Sequence, residues 1–375
     1  MRSIRRVVVV LVAVALVAAG CGGDDDDGAD STTPGSDGEL TEVSLQLQWF
    51  TQGQFGGYYA ALDQGFFEDV GLDVDIVQGG VDIVPQTKVA DGSVDFAIAW
   101  VPKALASRDQ GAEITNIGQV FQRSGTLQVS WKDSAITSVA DLDGKRVGNW
   151  GFGNEFELLA GLKRAGLDPQ SDVTLVQQQF DMVALTNRDI DAAQAMTYNE
   201  YAQMLETENP DTGELISPDD LSVIDWNDEG TAMLQDAVWV QTERLEDEGF
   251  RDVATRFLEA SFRGWIFCRD NLEECTDIVL QYGPTLGASH QQWQVNEINK
   301  LIWPSPGGIG VMDQDRWDQT IEVAASEGLI QEEPDADAFI ADLAQAAVDA
   351  LEDEGLDVTG EDFEPATVEL RPGGE

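Results

Sequence analysis

Val43-Ser44-Leu45-Gln46-Leu47-Gln48-Trp49-Phe50-Thr51-Gln52-Gly53-Gln54-Phe55-Gly56-Gly57-Tyr58-Tyr59 begins with apolar and polar residues in alternation, then breaks into aromatics, amides and glycines. Alternation at period two is the pattern of a strand with one buried face. The chain then becomes helix-like from Tyr58 to Phe67, turns at Gly71, and returns to a strand at Leu72–Val77. The same alternation continues: a helix around Val84–Ala90, a strand Val94–Trp100, a helix Pro102–Asp109 and a strand Ile114–Phe121. Strands separated by helices predict an α/β layered fold with mainly parallel strands.

The pattern restarts at Lys145–Trp150 and runs through strands Val173–Gln177 and Ile190–Met196, with helices at Asn154–Ala165, Met182–Arg188 and Tyr198–Glu206. After the strand Ala237–Gln241 the chain turns mostly helical, at Phe250–Cys268, Leu272–Tyr282, Ser289–Leu301 and Asp315–Glu327. This order predicts two α/β lobes: residues 42–130 plus 238–330 form the first and 131–237 the second. The last segment, 331–375, carries fifteen acids against one base; Ala336–Leu351 has helical apolar spacing and the remainder reads as a solvated tail. Ligands of open α/β sheets sit beyond the carboxyl ends of the strands, so a cleft between the lobes is the expected site.

Composition narrows the partners. The chain has 375 residues, 70 Asp+Glu against 21 Lys+Arg, and a formal net charge of -49. Nucleic-acid binding depends on Lys and Arg neutralising phosphates and is excluded on that balance. A single histidine, His290, removes most imidazole chemistry, and its place at the start of an amphipathic helix reads as structural or surface. No phosphate loop, dinucleotide fingerprint or nucleophile elbow is present, and neither cofactor nor metal is expected. Acid pairs such as Asp219-Asp220 and Glu273-Glu274 read as solvated faces.

The amino terminus points outside the cytoplasm. Arg2, Arg5 and Arg6 precede the apolar run Val7–Ala19, which is too short to span a membrane but fits a signal-peptide core. Val17-Ala18-Ala19-Gly20-Cys21 resembles a bacterial lipobox, so residues 1–20 are expected to be removed and Cys21 to be lipidated. Residues 21–41 are then an acidic, flexible leash. In an oxidising compartment a disulfide between Cys268 and Cys275 is favoured over two buried free thiols on neighbouring turns.

Four segments after strands combine aromatics with amides: Gln48–Tyr59, Trp100-Val101-Pro102, Asn149–Glu157 and Thr197–Tyr201. Such groups stack on a flat heterocycle and hydrogen-bond its edge, or else form core and lobe-interface contacts. Asn154 and Glu157 match the spacing of a capping box. Acids at Glu155 and Glu157 in the first helical turn oppose a small anion there, which favours a neutral or cationic ligand.

Gln48–Tyr59, Asp63-Gln64-Gly65-Phe66-Phe67 and Gly71-Leu72-Asp73-Val74 resemble the opening of the solute-binding family of sulfonate, taurine, nitrate and thiamine-pyrimidine importers. Asp91–Phe96 and Val139–Gly148 resemble that family's loop-then-strand segment and the beginning of its second lobe. The resemblance implies a two-lobed periplasmic-binding-protein fold (type II) that closes on a ligand and delivers it to an ABC permease with its ATPase. It also implies an extracytoplasmic monomer anchored to the membrane through Cys21.

Asn154-Glu155-Phe156-Glu157 and Met196-Thr197-Tyr198-Asn199-Glu200 look closest to the thiamine-pyrimidine branch. This implies a formylaminopyrimidine-type ligand, with riboflavin second and sulfonate, taurine or nitrate third. Trp49, Tyr58, Trp100 and Trp150 are the expected walls, and Gln54, Asn154, Glu155, Tyr198 and Asn199 the expected edge contacts. That branch also contains a thiamine pyrimidine synthase. The synthase's histidine is absent from the matching stretch Gln54-Phe55-Gly56-Gly57, and no cysteine cluster accompanies it. A binding protein is therefore expected rather than an enzyme.

Overall fold

Backbone pairing divides the strands between two five-stranded sheets. The structure is a computed structural model that describes residues 40–210 and 212–375. The expected signal peptide, Cys21 and nearly all of the leash lie outside the described residues. In chain order the strands are β1 (Thr41–Gln46), β2 (Leu72–Val77), β3 (Phe96–Trp100), β4 (Ile114–Gly118) and β5 (Thr126–Trp131). They continue as β6 (Arg146–Asn149), β7 (Thr174–Gln177), β8 (Ala192–Met196), β9 (Leu221–Asp225) and β10 (Asp236–Gln241).

The first sheet has the order β2-β1-β3-β10-β4 and the second β7-β6-β8-β5-β9. β1 runs parallel to β2 and β3, whereas β10 is antiparallel to both its neighbours. The second sheet repeats the arrangement: β6 runs parallel to β7 and β8, and β5 is antiparallel to β8 and β9. In each sheet the antiparallel strand is the one that has just crossed from the other lobe. The crossings are residues 119–125 and 226–235.

That pairing moves the limits expected from sequence. A division at 130–131 would put β5 in the first lobe, and one at 237–238 would put the start of β10 in the second. A strand's lobe is set by its partner, which local alternation does not reveal. The two crossings are themselves tied together. The Gln235 side-chain amide donates to Ser124 Oγ and Thr126 Oγ1 and accepts from Gly125 N–H, while Asn227 Nδ2 donates to Ser124 O.

The helices that frame the site are α1 (Gly56–Asp63), α2 (Val101–Asp109), α3 (Phe156–Arg164), α4 (Glu200–Leu205), α5 (Glu248–Asp270), α6 (Leu272–Tyr282), α7 (Ala288–Ile302) and α8 (Asp342–Asp353). α5 carries the first lobe's main core, with Phe257, Leu258, Phe262 and Trp265 buried against β3, α1 and Phe121. Cys268 on α5 and Cys275 on α6 are bonded, with their Cα atoms 5.0 Å apart.

The acidic C-terminal segment is not a free tail. α8 buries Leu343, Ala344, Ala347, Val348 and Leu351, its acids facing away. Before it, residues 338–340 pair with Asn116 and cover the edge of β4. After it, Val358 and Thr359 accept from Ile309 and Ser305, Ala366 bonds Asn296 twice, and Gly373 N–H donates to Glu206 O in the second lobe. High charge reads as solvation in sequence, yet here the acids occupy one side of an amphipathic segment whose other side is core.

Candidate functional site

The carboxyl ends of β1, β3, β6 and β8 deliver loops to a cleft of about 540 Å³ between the two sheets. β1 ends into Gln48 and Trp49; the chain then bends through a short turn at Gly53–Phe55 into α1. Gly53 lies against α7, where a Cβ would stand 2.7 Å from that of Gln294, so only glycine permits the approach. β3 ends in Trp100 and leads straight into α2, whose Pro102 at the first turn suits a helix start.

Of the nine expected contact residues, seven line the cleft: Trp49, Gln54, Trp100, Trp150, Asn154, Tyr198 and Asn199. Tyr58 does not. It lies on the face of α1 that packs on α5, 1% exposed, edge-on to Trp265 with ring centroids 5.6 Å apart. Glu155 does not line it either; its Oε2 accepts from Gly153 N–H at 2.9 Å and braces the preceding turn. The capping box is also absent. Asn154 Nδ2 donates back to Gly151 O, and Glu157 turns inward, 5% exposed, to accept from Met233 N–H at 2.7 Å. A glutamate in the first turn reads as a cap in sequence, but here burial and the crossing backbone claim it.

The walls are aromatic and come from both lobes. Trp49 of the first lobe meets Phe180 of the second at 5.0 Å, and Phe180 stacks on Trp150 at 6.0 Å with 24° between the planes. Phe180 follows β7 in Gln177-Gln178-Gln179-Phe180, a fifth amide-and-aromatic cluster with the same signature as the other four.

The floor is a chain of amides ending on carboxylates. Asp236, the first residue of β10 and 2% exposed, accepts from Gln48 Nε2 at 2.6 Å and from Gln54 Nε2 at 3.0 Å. Gln52 Nε2 donates to Gln54 Oε1 at 2.7 Å. Gln294 Nε2 on α7 reaches Gln52 Oε1 and, at 3.2 Å, Asn199 Oδ1 of the second lobe. Asn199 Nδ2 then donates to Glu200, whose other oxygen accepts from Met196 N–H. His290 joins the chain from the side, between Asn199 Oδ1 and Glu206 Oε1. Its surface-or-structural expectation resolves into a bridge between lobes.

Two charged groups were missed by sequence reasoning. Burial pushes the Asp236 carboxyl up to about 7, against the pull of its amide donors and of Lys103. Lys103, on the first turn of α2, also lines the cleft, its Nζ 4.8 Å from the centre of the Trp100 ring. Burial draws its ammonium down to about 8, against the attraction of Asp236 and Glu155. Tyr198 and Glu200 are likewise raised by burial. A lysine in the cleft, with Glu157 turned away, removes the local argument against an anion that the first helical turn had supplied. Neither Lys103 nor Asp236 carries a sequence signal, because one opens an ordinary helix and the other an ordinary strand.

Two sheets, each holding one antiparallel strand that directly follows a crossing between the lobes, with a ligand-sized cleft at their carboxyl ends, define a two-lobed solute-binding protein fold. The aliphatic sulphonate-binding protein SsuA of Escherichia coli has this fold: it superposes with a TM-score of 0.58 at 18% identity, covering 78% of this chain and 94% of that one. The chain belongs to the NMT1/THI5-like family, which matches residues 52–275. It is 26% identical to the riboflavin-binding protein RibY of Chloroflexus aurantiacus over 79% of this chain and 84% of that protein. It is 22% identical to the formylaminopyrimidine-binding protein of Halalkalibacterium halodurans over 78% and 87%.

Proposed function

We propose that this protein is the extracytoplasmic receptor of an ABC importer, capturing a flat, nitrogen-rich heterocycle and handing it to the permease and ATPase. The lipid on Cys21 and the acidic leash would hold a monomeric receptor beside that permease. The observation that carries the reading is the cleft itself: indole and phenyl walls from both lobes stand over an amide floor that ends in Asp236. Stacking takes the faces of a heterocycle, and the amides take its ring nitrogens and carbonyl or amino groups. Closing the lobes excludes water and strengthens those polar contacts.

Two ligands fit this description. A formylaminopyrimidine-type thiamine precursor is the one the site segments suggested. Riboflavin is favoured by size, since the cleft of 540 Å³ falls in the range of about 300–1,000 Å³ typical of sites for larger organic ligands, and a single six-membered ring leaves much of it to water. A thermal-shift panel of riboflavin, formylaminopyrimidine, taurine and nitrate tests the reading. A ligand at ~100-fold excess over its Kd adds ~2.7 kcal/mol of stability. Stabilisation by taurine or nitrate alone would overturn it. New pyrimidine formed from pyridoxal phosphate and iron would replace the receptor with a synthase.

A further inference from the structure

The mouth of the cleft is largely apolar where the floor is polar, with one exposed acid, Asp82, between Val81 and Val84. Val81 and Val84, 62% and 52% exposed, stand on the first lobe, and Phe152, 81% exposed, on the second; all three line the cleft. Phe152 is the most exposed of the large apolar side chains among the described residues and Val81 the next.

Phe152 is held there by its backbone. Gly151, Phe152 and Gly153 have φ of 70°, 54° and 88°, a left-handed run that glycine tolerates and phenylalanine does not favour. The turn is braced from three sides. Asn154 N–H and Nδ2 both donate to Gly151 O, and Glu155 Oε2 accepts from Gly153 N–H. A Cβ on Gly153 would stand 3.6 Å from Lys103 Cγ, so this second-lobe turn rests on a first-lobe side chain across the cleft. A strained residue with an exposed aromatic ring loses on both counts unless something covers the ring.

Resting on the receptor reading, we infer that Phe152 determines specificity by covering an apolar outer ring of the ligand, opposite Val81 and Val84. The ligand class is then a fused-ring heterocycle, polar at one end and hydrocarbon at the other. Its nitrogen- and oxygen-bearing edge lies on the amide floor and its hydrocarbon edge between the two lips. A lone pyrimidine reaches the floor but not the lips. Glu155 is a positioning residue for the turn rather than a contact of the ligand.

The test is isothermal titration of the purified full chain and of F152A with three ligands: riboflavin, the bicyclic 6,7-dimethyl-8-ribityllumazine, which lacks the benzenoid ring, and formylaminopyrimidine. F152G serves as a second variant, because glycine relieves the left-handed strain and keeps the turn folded. Both variants are expected to weaken riboflavin at least tenfold while leaving formylaminopyrimidine within twofold. The unaltered protein is expected to prefer riboflavin over the lumazine. An unchanged riboflavin Kd in both variants would overturn the role of Phe152 and leave the receptor reading standing, as would a protein that binds only formylaminopyrimidine. Failure of the unaltered protein to bind any of the three would remove the receptor reading itself, and the role of Phe152 with it.

Discussion

Replacing Glu157 by Gln should make the protein more stable at neutral and alkaline pH, and by an amount that grows with pH. Glu157 is 5% exposed, and burial raises its carboxyl from 4.5 to about 7 despite the Met233 N–H bond and the Ser124 and Thr126 hydroxyls nearby. An acid whose folded-state pKa is raised keeps its proton in the fold where the unfolded chain has lost it. Its contribution is therefore full below about 4.5 and is lost as the pH climbs to about 7. At ~1.4 kcal/mol per unit, the charge held at higher pH costs about 3 kcal/mol, an upper limit. Glutamine retains the carbonyl oxygen that accepts from Met233, and its amide N–H₂ faces Thr126 Oγ1, which keeps one lone pair, and Ser124 Oγ, which already accepts from Gln235 Nε2 and Thr126 N–H. E157Q therefore escapes ionisation while giving up the Ser124 hydroxyl bond, a loss of about 1 kcal/mol that is smaller than the charge it removes. Urea unfolding of both proteins from about pH 5 to about pH 8 measures the difference, in which the titration of the other acids cancels. The expected gap is small near pH 5 and widens to a few kcal/mol near pH 8 in favour of E157Q. A gap independent of pH, or a variant weaker at pH 8, would refute this reasoning by showing that the surrounding donors outweigh burial.

Two further perturbations probe the scaffold behind the cleft. A Cβ on Gly264 would stand 2.0 Å from Gly57 O and 2.9 Å from Ala61 Cβ, where α5 crosses α1. G264A is therefore expected to cost ~1–3 kcal/mol or more, read as a lowered melting temperature, and an unchanged one would contradict so close a crossing. Cys268 and Cys275 close a loop with a sequence separation of 7, so the C268S/C275S double variant should lose about 2–3 kcal/mol by denaturant unfolding. Equal midpoints for the oxidised protein and the double variant would mean that packing alone fixes the α5–α6 corner.

The alternation around Val43–Trp49 made β1 legible, and the repeated strand–helix order made both lobes legible, because parallel sheets need a helix between strands. Trp49, Trp100 and Trp150 were legible as cleft residues for a related reason: each follows or ends a strand whose carboxyl end faces the cleft. Tyr58 failed because a helix start has two faces, and which one meets α5 depends on Gly57 and Gly264 rather than on Tyr58 itself. Glu155 and Glu157 failed because a first-turn acid has the same local sequence whether it caps, braces a turn or is buried. Phe180 was within reach, as its run of glutamines matches the other clusters. Lys103 and Asp236 were not, since their meaning arises only when α2 and β10 are brought together beneath Trp100. Beyond α8 the tail misled through composition: charge density hid the few contacts, at Val358, Thr359 and Ala366, that fasten it to the first lobe.

The opposed shifts of Lys103 and Asp236 bear on what a protein of net charge -49 can select. Burial moves the acid up to about 7 and the base down to about 8, so near neutral pH the acid is partly protonated while the lysine keeps most of its charge. The surface carries a strong negative charge, but the cleft brings a row of amides together with a cation, Lys103. The neighbours favour both charges, Gln54, Trp100, Gln48 and Lys103 that of the carboxylate and Asp236 and Glu155 that of the ammonium, so burial alone opposes them. On the proposed reading, discrimination would fall to the stacking faces of Trp49, Trp150 and Phe180 and to the donors and acceptors of Gln48, Gln52, Gln54 and Asn199.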